Sequence, residues 1–127
     1  MPDSPSPREV LDRAISEESF QRQVVQLAHL YGWRVHATRP ARTNKGWKTP
    51  IQGDPGFPDL VLVKGGRLIL AELKKEDGHL TQSQGEWLVA LKGVSLPGDP
   101  DGPRSFRYFI WRPSDWETIV AVLRDER

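Results

Sequence analysis

Asp59, Glu72 and Lys74 are the residues whose types best fit a chemical role, provided that the chain brings them together. Opposed carboxylates repel each other at the end of an apolar sheet, and a divalent cation between them turns that repulsion into binding. Hard oxygen ligands suit Mg²⁺ or Mn²⁺, and the carbonyl oxygen of Leu73 is a candidate extra ligand. The Lys74 ammonium could then orient an attacking water or neutralise a phosphate.

A predicted β-hairpin places these three residues on one face. The apolar runs 60–63 and 68–71 are joined through Gly65-Gly66, which is typical of a two-residue hairpin turn. Counting outward from that turn sets Asp59 directly opposite Glu72, with Cβ atoms about 4.5–5.5 Å apart. Since both runs are apolar throughout, we expect these strands in the middle of a sheet, covered on each side.

The alternative interpretation treats the same residues as structural. Asp59 would then only start a strand after a Pro-Asp turn, and Glu72 and Lys74 would be solvated charges at a strand end. The hairpin register favours the chemical interpretation, because it places all three on one face after two apolar runs.

Glu17 is a candidate third acid. At about 100° per residue it shares, to within about 20°, the direction of Val24 and Ala28 on the apolar stripe of its helix. Glu18 is turned about 100° away and can pair with Arg22 one turn on. An ordinary first-turn acid, favoured by the helix dipole, is the equally weighted alternative for Glu17.

Gln84 also has two interpretations. It lies on the apolar stripe of a helix, where its amide could serve the site, and it completes a Thr81-x-x-Gln84 capping box. We expect the two roles to exclude each other, because one side chain cannot easily do both.

The elements that must position these residues follow the order α-α-β-β-β-α-β-α. Ser6, with Pro7 and Glu9, predicts a short first helix to about Ile15. Residues 1–15 form a lead to a domain over 16–127. The remaining elements are predicted as a helix over 16–31, a strand over 33–38, a long loop over 39–57, the hairpin, a helix begun by Thr81, a strand over 106–111 and a last helix capped by Ser114 and Glu117. The fold class is α/β, with a central mixed sheet flanked by helices.

A basic stretch precedes Asp59. Between Glu18 and Asp54 the chain has no acidic residue, and its cations are interleaved with Trp33 and Trp47. Such a stretch can neutralise phosphates and stack on an unpaired base, whereas a solvated loop with incidental charges is the alternative. The candidate DNA-binding residues are Arg39, Arg42, Lys45, Trp47 and Lys48.

Composition excludes several other functions. The 127 residues carry 18 Lys+Arg against 17 Asp+Glu, and cysteine is absent. A globally basic coat, disulfide scaffolds, thiolate zinc sites and thiol nucleophiles are therefore excluded. No apolar run approaches the roughly 20 residues of a membrane span. The Pro/Ser-rich start is unlike a secretory signal, so we expect a cytoplasmic protein with no membrane partner.

Several motifs together resemble the VRR-NUC family, a branch of the PD-(D/E)xK nuclease superfamily. Gly56-Phe57-Pro58-Asp59-Leu60, Ala71-Glu72-Leu73-Lys74 and Leu80-Thr81-Gln82-Ser83-Gln84 match its central motifs. Ser16-Glu17 with the following helix resembles its opening, and Ile110-Trp111-Arg112-Pro113 resembles its closing strand. The resemblance covers residues 16–120. One departure is position 37, where family members often carry a histidine and this chain has Ala37. The histidine of this chain lies one place earlier, and we therefore assign no role to His36.

The resemblance implies a restriction-endonuclease-like core and metal-dependent hydrolysis of DNA phosphodiesters, with Mg²⁺ or Mn²⁺ as cofactor. The family's acids fall on Asp59, Glu72 and Glu17, its lysine on Lys74 and its glutamine on Gln84. Minimal members resemble Holliday junction resolvases, so we expect branched or junction DNA as substrate and a homodimer as the acting form.

Two other functional classes compete with a nuclease. A non-catalytic DNA-binding module that keeps the fold is the principal alternative, but it would be expected to have lost one of Asp59, Glu72 or Lys74. A metal-buffering or purely structural protein gives no account of the basic loop.

Overall fold

A four-stranded mixed sheet with four α-helices forms the framework of the protein. The computed structural model describes residues 4–38, 41–43, 46–48, 51–94 and 105–124, with the backbone alone for 41–43, 46–48 and 105. The helices are α1 (Pro7–Ala14), α2 (Glu17–Leu30), α3 (Gln82–Lys92) and α4 (Trp116–Leu123). The strands are β1 (Arg34–Ala37), β2 (Ala41–Thr43), β3 (Gly46–Lys48), β4 (Leu60–Lys64), β5 (Arg67–Leu73) and β6 (Ser105–Trp111).

The sheet has the order β1-β4-β5-β6, so the two hairpin strands are central, as predicted. β4 pairs antiparallel with β1 and β5, whereas β5 and β6 are parallel. Lys64 faces Arg67 and Leu60 faces Ala71, which confirms the predicted register. Gly65 and Gly66 have φ values of 56° and 79°, and a tight hairpin turn of this kind requires positive φ at both central residues.

The hydrophobic core lies between one face of the sheet and two helices. Phe20, Val24 and Ala28 of α2 and Ile119 and Leu123 of α4 are fully buried. They pack against inward-facing residues of the sheet, namely Leu60, Leu62, Ile69, Ala71, Leu73 and Trp111. The predicted apolar stripe of α2 therefore does face the core.

The opposite face of the sheet is covered less completely than predicted. β5 is buried along almost its whole length, but Val63 on β4 remains 44% exposed. α3 buries no residue fully and contacts the β6 side of the sheet. Apolar side chains on both faces of β4 therefore do not mean that both faces are covered.

The helix starts follow the predicted capping residues except at α4. The Ser6, Ser16 and Thr81 side chains accept from the backbone N–H groups of Glu9, Ser19 and Gln84. Ser114 is not the cap of α4. Instead, a 3₁₀ turn over Pro113–Asp115 precedes the helix, and Asp115 Oδ2 accepts from the Arg112 N–H at 2.8 Å.

The predicted loop over 39–57 is wrong in part. β2 and β3 within it form a separate two-stranded antiparallel ribbon in which Arg42 pairs with Trp47. Strands of three residues are too short to give an alternating pattern, so the sequence held no strand signal there. None of the helices in the described part of the chain is both long and apolar enough to cross a membrane.

Candidate metal centre

Asp59 lies where β4 begins, and two backbone groups fix its position. The Thr38 N–H donates to the Asp59 carbonyl oxygen at 2.9 Å, which extends the β1–β4 ladder by one pair. On the other side, the Leu73 N–H donates to Asp59 Oδ2 at 2.9 Å. Asp59 is thus held between both neighbouring strands, with its carboxylate turned toward β5. The proposed ligand role of the Leu73 carbonyl stays a prediction.

Glu72 is a buried acid with an incomplete set of partners. Its side chain is 1% exposed, and Oε2 accepts from Gln84 Nε2 at 3.1 Å. Lys74 Nζ lies 3.6 Å from the same oxygen, in a residue that is only 7% exposed. Oε1 is buried and has no hydrogen-bond partner within the described residues. A buried carboxylate oxygen without a partner lowers the stability of the fold. Binding of a proton or a cation at this oxygen would remove that cost.

Three carboxylates converge at this end of the sheet. Glu17, Asp59 and Glu72 each offer an oxygen, and these oxygens all lie within 4.8 Å of one another. Glu17 reaches the group from the first turn of α2, as its helical direction predicts. Glu18 is turned away, with an oxygen 3.9 Å from Arg22. Oxygens at this spacing fit the coordination shell of a hard divalent cation.

The electrostatics of the cluster favour neutralisation of at least one acid. Burial first, and then the charge of the nearby Asp59 and its ability to accept a hydrogen bond from the protonated acid, raise the pKa of Glu72 to about 9, while Lys74 opposes the shift. Burial also raises the pKa of Glu17, and Lys74 again opposes the shift. Without a cation, a proton on Glu72 relieves its repulsion with the neighbouring carboxylates.

The Tyr108 phenol belongs to the same electrostatic environment. Burial and the charges of Glu72 and Asp59 raise the pKa of Tyr108 to about 12. This residue lies on β6 opposite Leu70 and was not predicted as part of the site.

Gln84 both caps α3 and contacts the site, so the expectation that the two roles exclude each other is wrong. Its Oε1 accepts from the Thr81 N–H at 2.9 Å, and its Nε2 donates to Glu72 at 3.1 Å. The two ends of a single amide serve the two partners, because one is an acceptor and the other a donor. The helix start therefore orients a donor at the buried acid.

An aromatic contact fastens the segment before Asp59 to α3. The rings of Phe57 and Trp87 meet edge to face with centroids 5.0 Å apart, and Trp87 Nε1 donates to the Asp54 carbonyl at 3.3 Å. Gly56 lies against the start of α3: a Cβ there would fall 2.5 Å from the Ser83 carbonyl carbon, and its φ is +96°.

Replacing Gly56 by alanine should displace the start of α3 and, with it, the Gln84 amide. The left-handed φ alone costs a non-glycine residue about 1–3 kcal/mol, and the clash with backbone adds to this. We expect a loss of stability of about 2 kcal/mol or more, measured by denaturant unfolding. Gly53→Ala is the matched control, since Gly53 has a φ of +97° but no atom of the described residues within 4 Å of its Cβ position. Equal losses in both variants would contradict the role of the close contact.

The basic stretch between Glu18 and Asp54, here called the basic segment, lies only partly within the described residues. Arg39 and Lys45 lie outside them, and Arg42, Trp47 and Lys48 are placed in the β2–β3 ribbon by their backbone. Their predicted contact with DNA stays a prediction.

Residues that sequence analysis did not assign to the site include Gln21, Thr38 and Trp87. The only sequence signal for Gln21 was its position one turn after Glu17.

No protein-family model matches the sequence, and a comparison with curated proteins finds no significant match.

Proposed function

We propose that this protein is a metal-dependent deoxyribonuclease that hydrolyses phosphodiester bonds, and that it has the restriction-endonuclease-like core of the VRR-NUC family. The observation that carries the proposal is the buried Oε1 of Glu72 in the Glu17–Asp59–Glu72 cluster, an oxygen that has no hydrogen-bond partner in the described part of the chain. A mixed sheet whose central hairpin bears Asp59, Glu72 and Lys74 supports the same conclusion.

The donor set fits Mg²⁺ or Mn²⁺, held by the carboxylates of Glu17, Asp59 and Glu72. When bound, such a cation polarises the phosphate and stabilises the charge of the pentacovalent transition state. Lys74 Nζ lies beside Glu72 and can orient a water or donate to a phosphate oxygen. Attack by the water oxygen on phosphorus breaks one P–O bond, which leaves a phosphate monoester and a hydroxyl.

We further propose branched DNA as the substrate and a homodimer as the acting form. The Glu17–Asp59–Glu72 cluster would serve one strand, and a symmetric pair of chains would present two such clusters to the two strands of a junction.

A cleavage panel of branched and linear DNAs, each with Mg²⁺, Mn²⁺ or a chelator, tests the proposed activity. We expect hydrolysis of at least one substrate with either cation and none with the chelator. A folded protein that binds DNA but cleaves none of the panel would support the non-catalytic DNA-binding module instead.

The basic segment should contribute phosphate contacts to DNA binding. Each lost contact removes about 0.9 from the slope of log K against log salt on duplex DNA. Replacing four residues by alanine should therefore lower the slope by about three to four units and weaken binding to all sequences alike. The four are Arg39, Arg42, Lys45 and Lys48.

A second quadruple variant controls for net charge. It removes four cations from other elements, namely Arg8, Arg13, Lys92 and Arg124. Affinity measured against salt should change little in this control. Identical slopes for the wild type and the basic-segment variant would show that the segment does not hold the DNA backbone.

A further inference from the structure

Gln21 connects the helix that carries Glu17 to the strand end beside Asp59. It lies one turn after Glu17 on α2, and its Nε2 donates to the Thr38 carbonyl oxygen at 3.1 Å in a partly buried position. Residues four apart share a helix face, so Gln21 and Glu17 point toward the same side of α2.

Thr38 carries the connection on to Asp59. Its N–H donates to the Asp59 carbonyl oxygen at 2.9 Å, directly beyond the Ala37–Leu60 pair of the sheet. Thr38 thus accepts from α2 and donates to the start of β4. Two hydrogen bonds in series link the elements that carry two of the three clustered acids.

The hydrophobic core alone does not define the position of Glu17. Phe20, Val24 and Ala28 pack α2 against the sheet, but apolar burial is non-directional and sets no specific distance between two polar groups. A hydrogen bond has a preferred length and angle. The Gln21–Thr38 bond therefore sets how far the first turn of α2 reaches toward Asp59.

We propose that Gln21 is a positioning residue for the carboxylate cluster: through Thr38 it sets Glu17 against Asp59 and so determines the affinity of the site for a divalent cation. The inference rests on the proposed function only in that the cluster binds a cation. Outer partners that orient metal ligands typically change metal affinity 10–100-fold when they are removed.

Titration of the full-length protein with Mn²⁺ by calorimetry tests this role without needing cleavage activity. Gln21→Met keeps the length of the side chain but removes the donor, so we expect the Mn²⁺ dissociation constant to rise about tenfold or more. The Gln21→Asn side chain is too short to reach Thr38, so this variant should also raise the Mn²⁺ dissociation constant. It replaces Gln21→Met in the test if the methionine variant does not fold.

Two controls separate positioning from a general loss of stability. Gln26→Ala removes an exposed amide from the same helix, and Ile119→Val loosens the core within α4. Neither should change the Mn²⁺ dissociation constant, even though Ile119→Val lowers the melting temperature. If cleavage is observed, saturating Mg²⁺ should restore the rate of Gln21→Met, because Gln21 touches no reacting group.

The outcomes distinguish this inference from the proposed function. A wild-type affinity for Mn²⁺ in folded Gln21→Met or Gln21→Asn protein would overturn the positioning role and leave the metal site intact. Equal weakening in Ile119→Val would also overturn it, since affinity would then follow stability alone. If the wild-type protein binds no Mn²⁺, both the positioning role of Gln21 and the proposed metal-dependent function are contradicted.

Discussion

Replacing Asp59 by alanine should abolish Mg²⁺-dependent DNA cleavage and leave DNA binding largely intact. The variant removes one of the three carboxylates that converge within 4.8 Å. Since a bound cation contributes several kcal/mol of transition-state stabilisation, and each 1.36 kcal/mol is tenfold in rate, we expect a loss of about 10³-fold or more. Single-turnover cleavage and equilibrium DNA binding, measured side by side, separate the two effects.

Two further variants make this prediction specific. Asp59→Asn keeps an oxygen that can accept from the Leu73 N–H, so it removes the charge while preserving the local fold. Asp54→Ala removes an exposed carboxylate from the same segment and should retain activity. Full Mg²⁺-dependent cleavage by Asp59→Ala would show that the catalytic role assigned to this residue is wrong.

Metal binding should release a proton and strengthen with rising pH. The pKa of Glu72 is raised to about 9 by burial and by Asp59, whereas a cation binds the deprotonated carboxylate. Between about pH 6 and 8 the apparent affinity for Mg²⁺ should therefore rise by up to tenfold per pH unit. Calorimetry in buffers of different ionisation enthalpy counts the released protons.

The same pKa shift predicts how stability depends on pH without metal. A carboxyl whose pKa is raised on folding favours the native state at low pH, and this contribution is lost between the unfolded value near 4.5 and about 9. The metal-free protein should thus become less stable as pH rises through this range. Glu72→Gln should remove this dependence, stabilise the metal-free protein by roughly 2–4 kcal/mol at pH 8 and lose metal binding.

Glu86→Gln provides the matched control for this effect. Glu86 is an exposed acid on α3, and its replacement should leave both the pH profile and metal binding unchanged. Unfolding free energies from pH 5 to 9, with and without Mg²⁺, give the comparison. A flat profile in the metal-free wild type, together with metal binding that releases no proton, would contradict the protonation of Glu72.

The parts of the fold governed by short-range rules were predictable from the sequence. The Gly65-Gly66 turn determines the register, because a two-residue loop permits only one pairing of the strands. That register is sufficient to place Glu72 beside Asp59. The direction of Glu17 follows from helical periodicity, since 100° per residue distinguishes it from Glu18.

The remaining features depend on contacts between distant segments. The double role of Gln84 requires the start of α3 to lie beside Glu72 on β5, and local sequence patterns do not encode this contact. The Gln21–Thr38–Asp59 connection likewise joins three elements. The β2–β3 ribbon escaped prediction because each of its strands has only three residues, too few for an alternating pattern to show. At α4, Pro113 and Asp115 favoured a 3₁₀ turn over a cap at Ser114.

Anomalous diffraction from a crystal of the wild-type protein soaked in Mn²⁺ shows whether the three carboxylates hold the cation. Mn²⁺ replaces Mg²⁺ in oxygen-ligand sites and marks its own position. We expect an anomalous peak between the carboxylates of Glu17, Asp59 and Glu72, with Lys74 beside it, and no such peak in Asp59→Ala crystals. At a saturating Mn²⁺ concentration, no peak at this cluster, or a peak bound by other residues only, would contradict the proposed metal site.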